Sequence, residues 1–200
     1  HRDLHSFPTR RSSDLHSNFA AYARILPAIC GEKSVYPLLG MFRELENATA
    51  ILERDGLGFA FPVPEMVSRH WERTEPDGMT EVRLDYERAL DWARQAREHS
   101  SANGIWFVDY WINRIAFGIN YLRMTEAVYL GGRAWACGDH DLARMELERA
   151  LQYAHEAGSS YVKAARDRSD VASIAIFNEY GIRYLRNKIN EISIQEDRMT

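Results

Sequence analysis

Trp106, Asp109, Tyr110 and Asn113 recur at spacings of three and four within an otherwise apolar stretch, which places them on one face of a helix. Two aromatic rings offer flat apolar surface, and a carboxylate and an amide offer directional hydrogen bonds, a combination that could line a cleft for a sugar. Phe117, Asn120 and Met124 continue the face. The competing reading is an internal polar network closed by Arg114, Arg123 or a residue of another helix, because a buried amide or carboxylate without a partner costs ~1 to 3 kcal/mol.

A second polar cluster is Ala165 to Asp170, ARDRSD, with Asn178, Glu179 and Tyr180 beyond it. Arg166 and Asp170 stand four apart, as an ion pair on a helix surface would, and Asn178 falls on an apolar stripe as a satisfied core amide. Catalytic templates are not matched. From His16 onward no two His residues stand at i,i+4, His70 follows Glu65 by five rather than three, and GxSxG, P-loop and GxGxxG patterns are missing. Cys30 and Cys137 have no zinc-ligand spacing; they read as two small buried residues, with a disulfide as the alternative in an exported protein. No catalytic residue, metal or cofactor is therefore assigned.

The stretch that must carry the first cluster is Gly104 to Cys137, whose only charges are Asp109, Arg114, Arg123, Glu126 and Arg133. A helix apolar on nearly every side is normally buried, so it should be the axle of the domain. Around it the 3.6-residue period predicts amphipathic helices at Ser34–Arg54, with Ser34 as cap, at Thr80–His99 and at Asp139–Ala157, the last broken by Gly158, Ser159 and Ser160. In Thr80–His99, Glu81, Arg83, Glu87, Arg88, Arg94 and Arg97 should face water. Another helix should start within Tyr161 to Arg168. Ser169–Ile194 should be one helix, capped by Ser169 and Asp170, with Val171, Ile174, Ala175, Asn178, Ile182, Leu185, Ile189 and Ile192 inward. Pro27 should interrupt a short helix over Asn18–Cys30. Loops are expected at Gly56–Pro64, with Phe59 and Phe61 pinned on the helices, and at Glu72–Gly78, with a turn or two of helix over Glu65–Trp71 between them. The polar tail from Gln195 should fray. No strand and helix alternation appears, so the expected fold is an all-α, irregular or up-and-down bundle.

Composition bounds partners more than function. A formal charge of -4 with acids and bases interspersed argues against nucleic acid, and no apolar run is long enough to span a membrane uninterrupted by charge. Aromatic residues make up 12% of the chain, which suits a packed core and a sugar-binding surface equally.

His5 to Leu15, HSFPTRRSSDL, resembles the read-through translation of a common sequencing adapter. Residues 1–15 are accordingly expected to be non-native, and residues 16–200 to be a single helical domain from a longer protein.

Two family resemblances follow from the remaining residues. Met124 to His155 resembles one tetratricopeptide unit: Leu130, Gly131 and Ala134 fall in its first helix, Gly138 and Asp139 in its turn, and Ala143, Leu147, Ala150 and Leu151 in its second. The positions of its Trp, Tyr and final Pro hold Ala127, Ala134 and His155, and no second copy lies thirty-four residues away, so a helix hairpin is expected rather than an array. The wider stretch from Leu38 to Ile192 is similar to the helical C-terminal region that follows the barrel of large bacterial glycoside-hydrolase-like proteins. The residues behind this are Glu44 to Trp71, Phe107 to Leu122 and Arg166 to Lys188. That resemblance implies an accessory domain supporting an upstream catalytic domain of the same chain, with the acid and base on that barrel and carbohydrate as a partner. A tetratricopeptide-like scaffold for protein partners is the alternative.

Overall fold

In the computed structural model, residues 12–54, 65, 67–74 and 78–199 are described, with side chains between Phe19 and Ile194. The described residues are 89% helical, and no strand occurs among them. The helices are α1 (Ser12–Cys30), α2 (Val35–Arg54), α3 (Ser68–Trp71), α4 (Met79–His99), α5 (Ile105–Ala136), α6 (His140–Ala164), α7 (Arg168–Phe177) and α8 (Arg183–Met199). This is the all-α bundle that the hydrophobic periods predict.

The axle is α5, and its all-round apolar character has a structural cause: it serves two cores in succession. Val108, Ile115 and Ile119 of its first half join Leu26 and Cys30 of α1, Leu38, Met41 and Phe42 of α2 and Ala89, Ala93 and Ala96 of α4. Farther along, Phe117, Tyr121, Met124, Ala127 and Val128 join Leu147, Ala150, Ala154 and Tyr161 of α6, Phe177 of α7 and Leu185 and Ile192 of α8. Leu122 reaches a smaller cluster with Ala48, Ile51 and Leu52 of α2 and Val82 of α4. Helices pack on opposite sides of α5 at different heights, so its apolar positions fall on more than one face.

The C-terminal half of α5 pairs with α6 as a helix hairpin. Gly138, at φ 80, makes its turn, a conformation that L side chains adopt only at a cost. Asp139 then caps α6 by accepting a hydrogen bond from the Leu142 amide at 3.1 Å. A Cβ on Gly132 would collide with the backbone of Trp71. That absence of a side chain lets α3 lie directly on α5, where Lys188 of α8 covers the Trp71 ring at 4.9 Å.

Several expected boundaries are corrected. Helix α1 runs through Pro27, because a proline in the last turn removes one donor, and Gly31 closes the end by donating to the Pro27 carbonyl at 3.0 Å. The α1 backbone also extends back to Ser12, into the adapter-like segment. Ser34 does not cap α2; it lies in the 3-10 turn Glu32–Ser34, and its hydroxyl donates to the carbonyls of Cys30 and Gly31. Helix α6 continues through Gly158, Ser159 and Ser160 to Ala164, so no new helix starts at Tyr161. The two serine hydroxyls donate back to the carbonyls of His155 and Glu156, which lets them stay within a helix.

Ser169–Ile194 is likewise not one regular helix. Asp167, not Ser169 or Asp170, caps it, accepting from the amides of both. A π-helical turn, Asn178–Ile182, separates α7 from α8 and inserts an extra residue into the period. Hence Ile182, Leu185, Ile189 and Ile192 point inward as expected, while upstream the buried position moves to Phe177, leaving Val171, Ala175 and Asn178 exposed. The α8 backbone stays helical to Met199 rather than fraying at Gln195. The expected loop Gly56–Pro64 with Phe59 and Phe61, and residues 75–77 of the expected loop Glu72–Gly78, lie outside the described residues.

Candidate functional site

The first three turns of α5 hold the sequence-predicted cluster on a ridge between α4 and the α6–α7 junction. Trp106 is 55% exposed, and Asp109, Tyr110 and Asn113 are half-buried. The polar members are partnered as the network reading required, through a residue of another helix. Arg97 of α4 donates to Asp109 Oδ1 at 2.6 Å, and the Asn113 amide donates to the Asp109 carbonyl at 2.7 Å. Neither Arg114 nor Arg123 closes this network. Phe117 and Met124 continue the face only by sinking into the core.

On the other side of the ridge, the ARDRSD cluster docks against the same helix. The Arg166 guanidinium lies over the rings of Trp106 at 5.2 Å and Tyr110 at 5.1 Å, and donates to the Trp106 carbonyl at 3.0 Å. Arg114 lies over Tyr161 at 4.6 Å and Tyr110 at 5.9 Å, and faces Asp170 Oδ1 at 3.6 Å. The result is an alternation of rings and guanidinium groups, Trp106, Arg166, Tyr110, Arg114 and Tyr161, each contact attractive through the ring quadrupole.

Asp170 anchors the assembly. Its Oδ2 accepts from the Arg166 backbone amide at 2.8 Å, and its Oδ1 from the Tyr161 hydroxyl at 3.3 Å. The expected side-chain ion pair between Arg166 and Asp170 is therefore not formed, since the carboxylate is engaged by backbone, phenol and Arg114. Sequence spacing placed the two clusters sixty residues apart and gave no sign that they meet. The signal that could have joined them was chemical: surplus arginine in one cluster and surplus aromatic surface in the other.

A second concavity, of about 170 Å³, is lined by His70, Met79, Thr80, Thr125, Glu126, Tyr129 and Leu130. Thr80 donates to Glu126 at 3.1 Å and Arg83 faces the same carboxylate at 3.5 Å. Of the α4 charges expected to face water, Glu81, Arg88, Arg94 and Arg97 are exposed, while Arg83 and Glu87 are half-buried and pair with each other, Arg123 of α5 also binding Glu87. Asp85 and Glu146 are buried acids that the periodicity did not single out. Burial pushes both carboxyls above the usual range, opposed at Asp85 by Arg88 and at Glu146 by Arg149. In the core, burial lifts the Tyr121 phenol to about 12.

Cys30 is buried beneath Gly104, but Cys137 is exposed at the hairpin turn, against the expectation of two buried thiols, and both are free. No group of His, Cys, Asp or Glu among the described residues is placed to hold a metal ion. Among the described residues no helix is long and apolar enough to cross a membrane. No family model matches the chain, and no curated protein or solved structure is similar to it.

Proposed function

We propose that this chain is the accessory C-terminal helical domain of a carbohydrate-active enzyme of the glycoside-hydrolase kind, supporting a catalytic barrel that precedes it. The observation that carries the reading is the exposed Trp106 ring beside Tyr110, fixed on a long, doubly packed helix with Asp109 and Asn113 along the same ridge. A rigid aromatic surface with polar groups at its margin fits the apolar faces and hydroxyl edges of a sugar ring.

Titrating the protein with oligosaccharides while following tryptophan fluorescence tests this, with Trp106→Ala as the comparison. Saturable binding that Trp106→Ala removes is the expected result. The upstream reading frame supplies the second test: if no barrel-like alternation of strands and helices precedes the domain, the proposal fails. A tetratricopeptide-like scaffold is favoured by a different observation, the exposed Leu130, Leu142 and Met145 on the α5–α6 hairpin. Further helix hairpins encoded upstream would decide for it.

A further inference from the structure

We infer that the Trp106 ridge takes an acidic sugar, a hexuronic acid unit whose carboxylate is gripped by Arg166. The inference rests on the carbohydrate reading above and narrows it to a ligand class. Each neighbouring arginine already has a carboxylate: Arg97 binds Asp109 at 2.6 Å and Arg114 faces Asp170 at 3.6 Å. Arg166 has none among the described residues; its side chain donates only to the neutral Trp106 carbonyl. Asp170, the acid best placed by sequence to neutralise it, binds its backbone amide instead.

The guanidinium is also held in place while it waits. Sitting over both Trp106 and Tyr110, it has lost much of the freedom that a surface arginine must give up to bind. A planar guanidinium fixed this way presents its remaining N–H donors as a fork, the geometry that matches a carboxylate with two parallel hydrogen bonds. Trp106, 55% exposed beside it, offers the stacking surface for the ring that carries the carboxylate. An exposed indole with a guanidinium lying over its ring at 5.2 Å matches a sugar acid better than a neutral sugar or a free small anion.

The test compares a linear trimer of hexuronic acid units with its methyl ester, which keeps the ring and removes the charge. Calorimetry on the native chain should show the acid binding about tenfold tighter than the ester, the scale of one charge-assisted pair. Arg166→Gln should erase that difference and leave the ester's affinity, and Arg166→Lys, which keeps the charge but not the fork, should lose most of it. The Arg166 side chain is exposed, so both variants should fold, and far-UV circular dichroism with a thermal melt checks this. Equal binding of acid and ester to the native chain, or unchanged acid binding in Arg166→Gln, overturns the inference while leaving the carbohydrate reading standing. Displacement of the acid by tripolyphosphate at the same concentration overturns it in favour of a general anion site. Binding of neither trimer overturns the inference, and the oligosaccharide titration with Trp106→Ala then decides the carbohydrate reading separately.

Discussion

The two halves of α5 are both predominantly apolar in sequence and opposite in use. From Phe117 to Val128 the helix is sealed: Phe117, Tyr121, Leu122, Met124, Thr125, Ala127 and Val128 are buried, and beyond them Gly131 and Gly132 admit α6 and Trp71 to close approach. From Ile105 to Ala116 only one side is sealed, by α1, α2 and α4, while Trp106 stays in water and Asp109, Tyr110 and Asn113 stay half in it. An unbroken apolar run therefore carries two meanings: aromatic residues packed among aliphatics are core, and aromatic residues interleaved with Asp, Asn and arginine partners are surface built for contact.

If that contrast is right, the same kind of truncation must have very different costs along one helix. Phe117→Ala removes a ring that touches Tyr161 at 4.8 Å and Phe177 at 5.7 Å between centroids, where the two cores meet. It should cost about 3–5 kcal/mol of unfolding free energy, read from urea denaturation midpoints. A loss under about 1 kcal/mol there would mean that the second core is loosely packed. Gly132→Ala probes the seal from the other direction. It adds only a methyl, but the obstacle is Trp71 backbone rather than a flexible side chain, so about 1–3 kcal/mol should be lost as α3 is pushed off. The Trp71 environment should change with it in near-UV circular dichroism.

How much of this was legible in the sequence follows from the reach of each signal. Periodicity within ten to twenty residues located α2, α4, α5 and α6, and the burial of Val82, Ala89, Ala93 and Ala96 agreed with it. It misplaced boundaries where a local exception prevailed over propensity, as at Pro27, at the serine back-bonds of α6 and at the π turn that shifted α7 by one residue. In the site, Trp106, Asp109, Tyr110 and Asn113 were identifiable from spacing, yet Arg97 and Arg166, which determine their chemistry, were not. Those contacts depend on how helices cross, and a single sequence does not encode crossing in any local pattern.

On the open half, Trp106→Ala should cost about 1 kcal/mol or less, because the ring is more than half exposed and its one strong partner is a solvent-facing guanidinium. The comparison is with Phe117→Ala on the same helix. Thermal melts of the two variants side by side would sharpen it, and a loss at Trp106 as large as that at Phe117 would place the ridge in the core and remove the case for a binding surface.

The smallest expected effect lies on the sealed half and depends on pH. Glu146 of α6 is buried against Gly131 of α5, with Arg149 at 2.7 Å, and burial raises its carboxyl above the usual range, with Glu126 adding to the rise and Arg149 opposing it. A carboxyl whose folded pKa exceeds its unfolded value, near 4.3, binds its proton more tightly when folded. Its contribution to stability is fully present below that unfolded value and is lost as pH rises through the folded one. At pH 7 the ionised Glu146 is then a net cost, and Glu146→Gln should be more stable than the native chain by less than about 1 kcal/mol, since Arg149 offsets part of the penalty. The gap should close as both proteins are titrated toward pH 4, where the native side chain is also neutral. A gap that widens in acid would mean that the Arg149 pair outweighs burial, and that even the sealed half keeps its charges because they stabilise it.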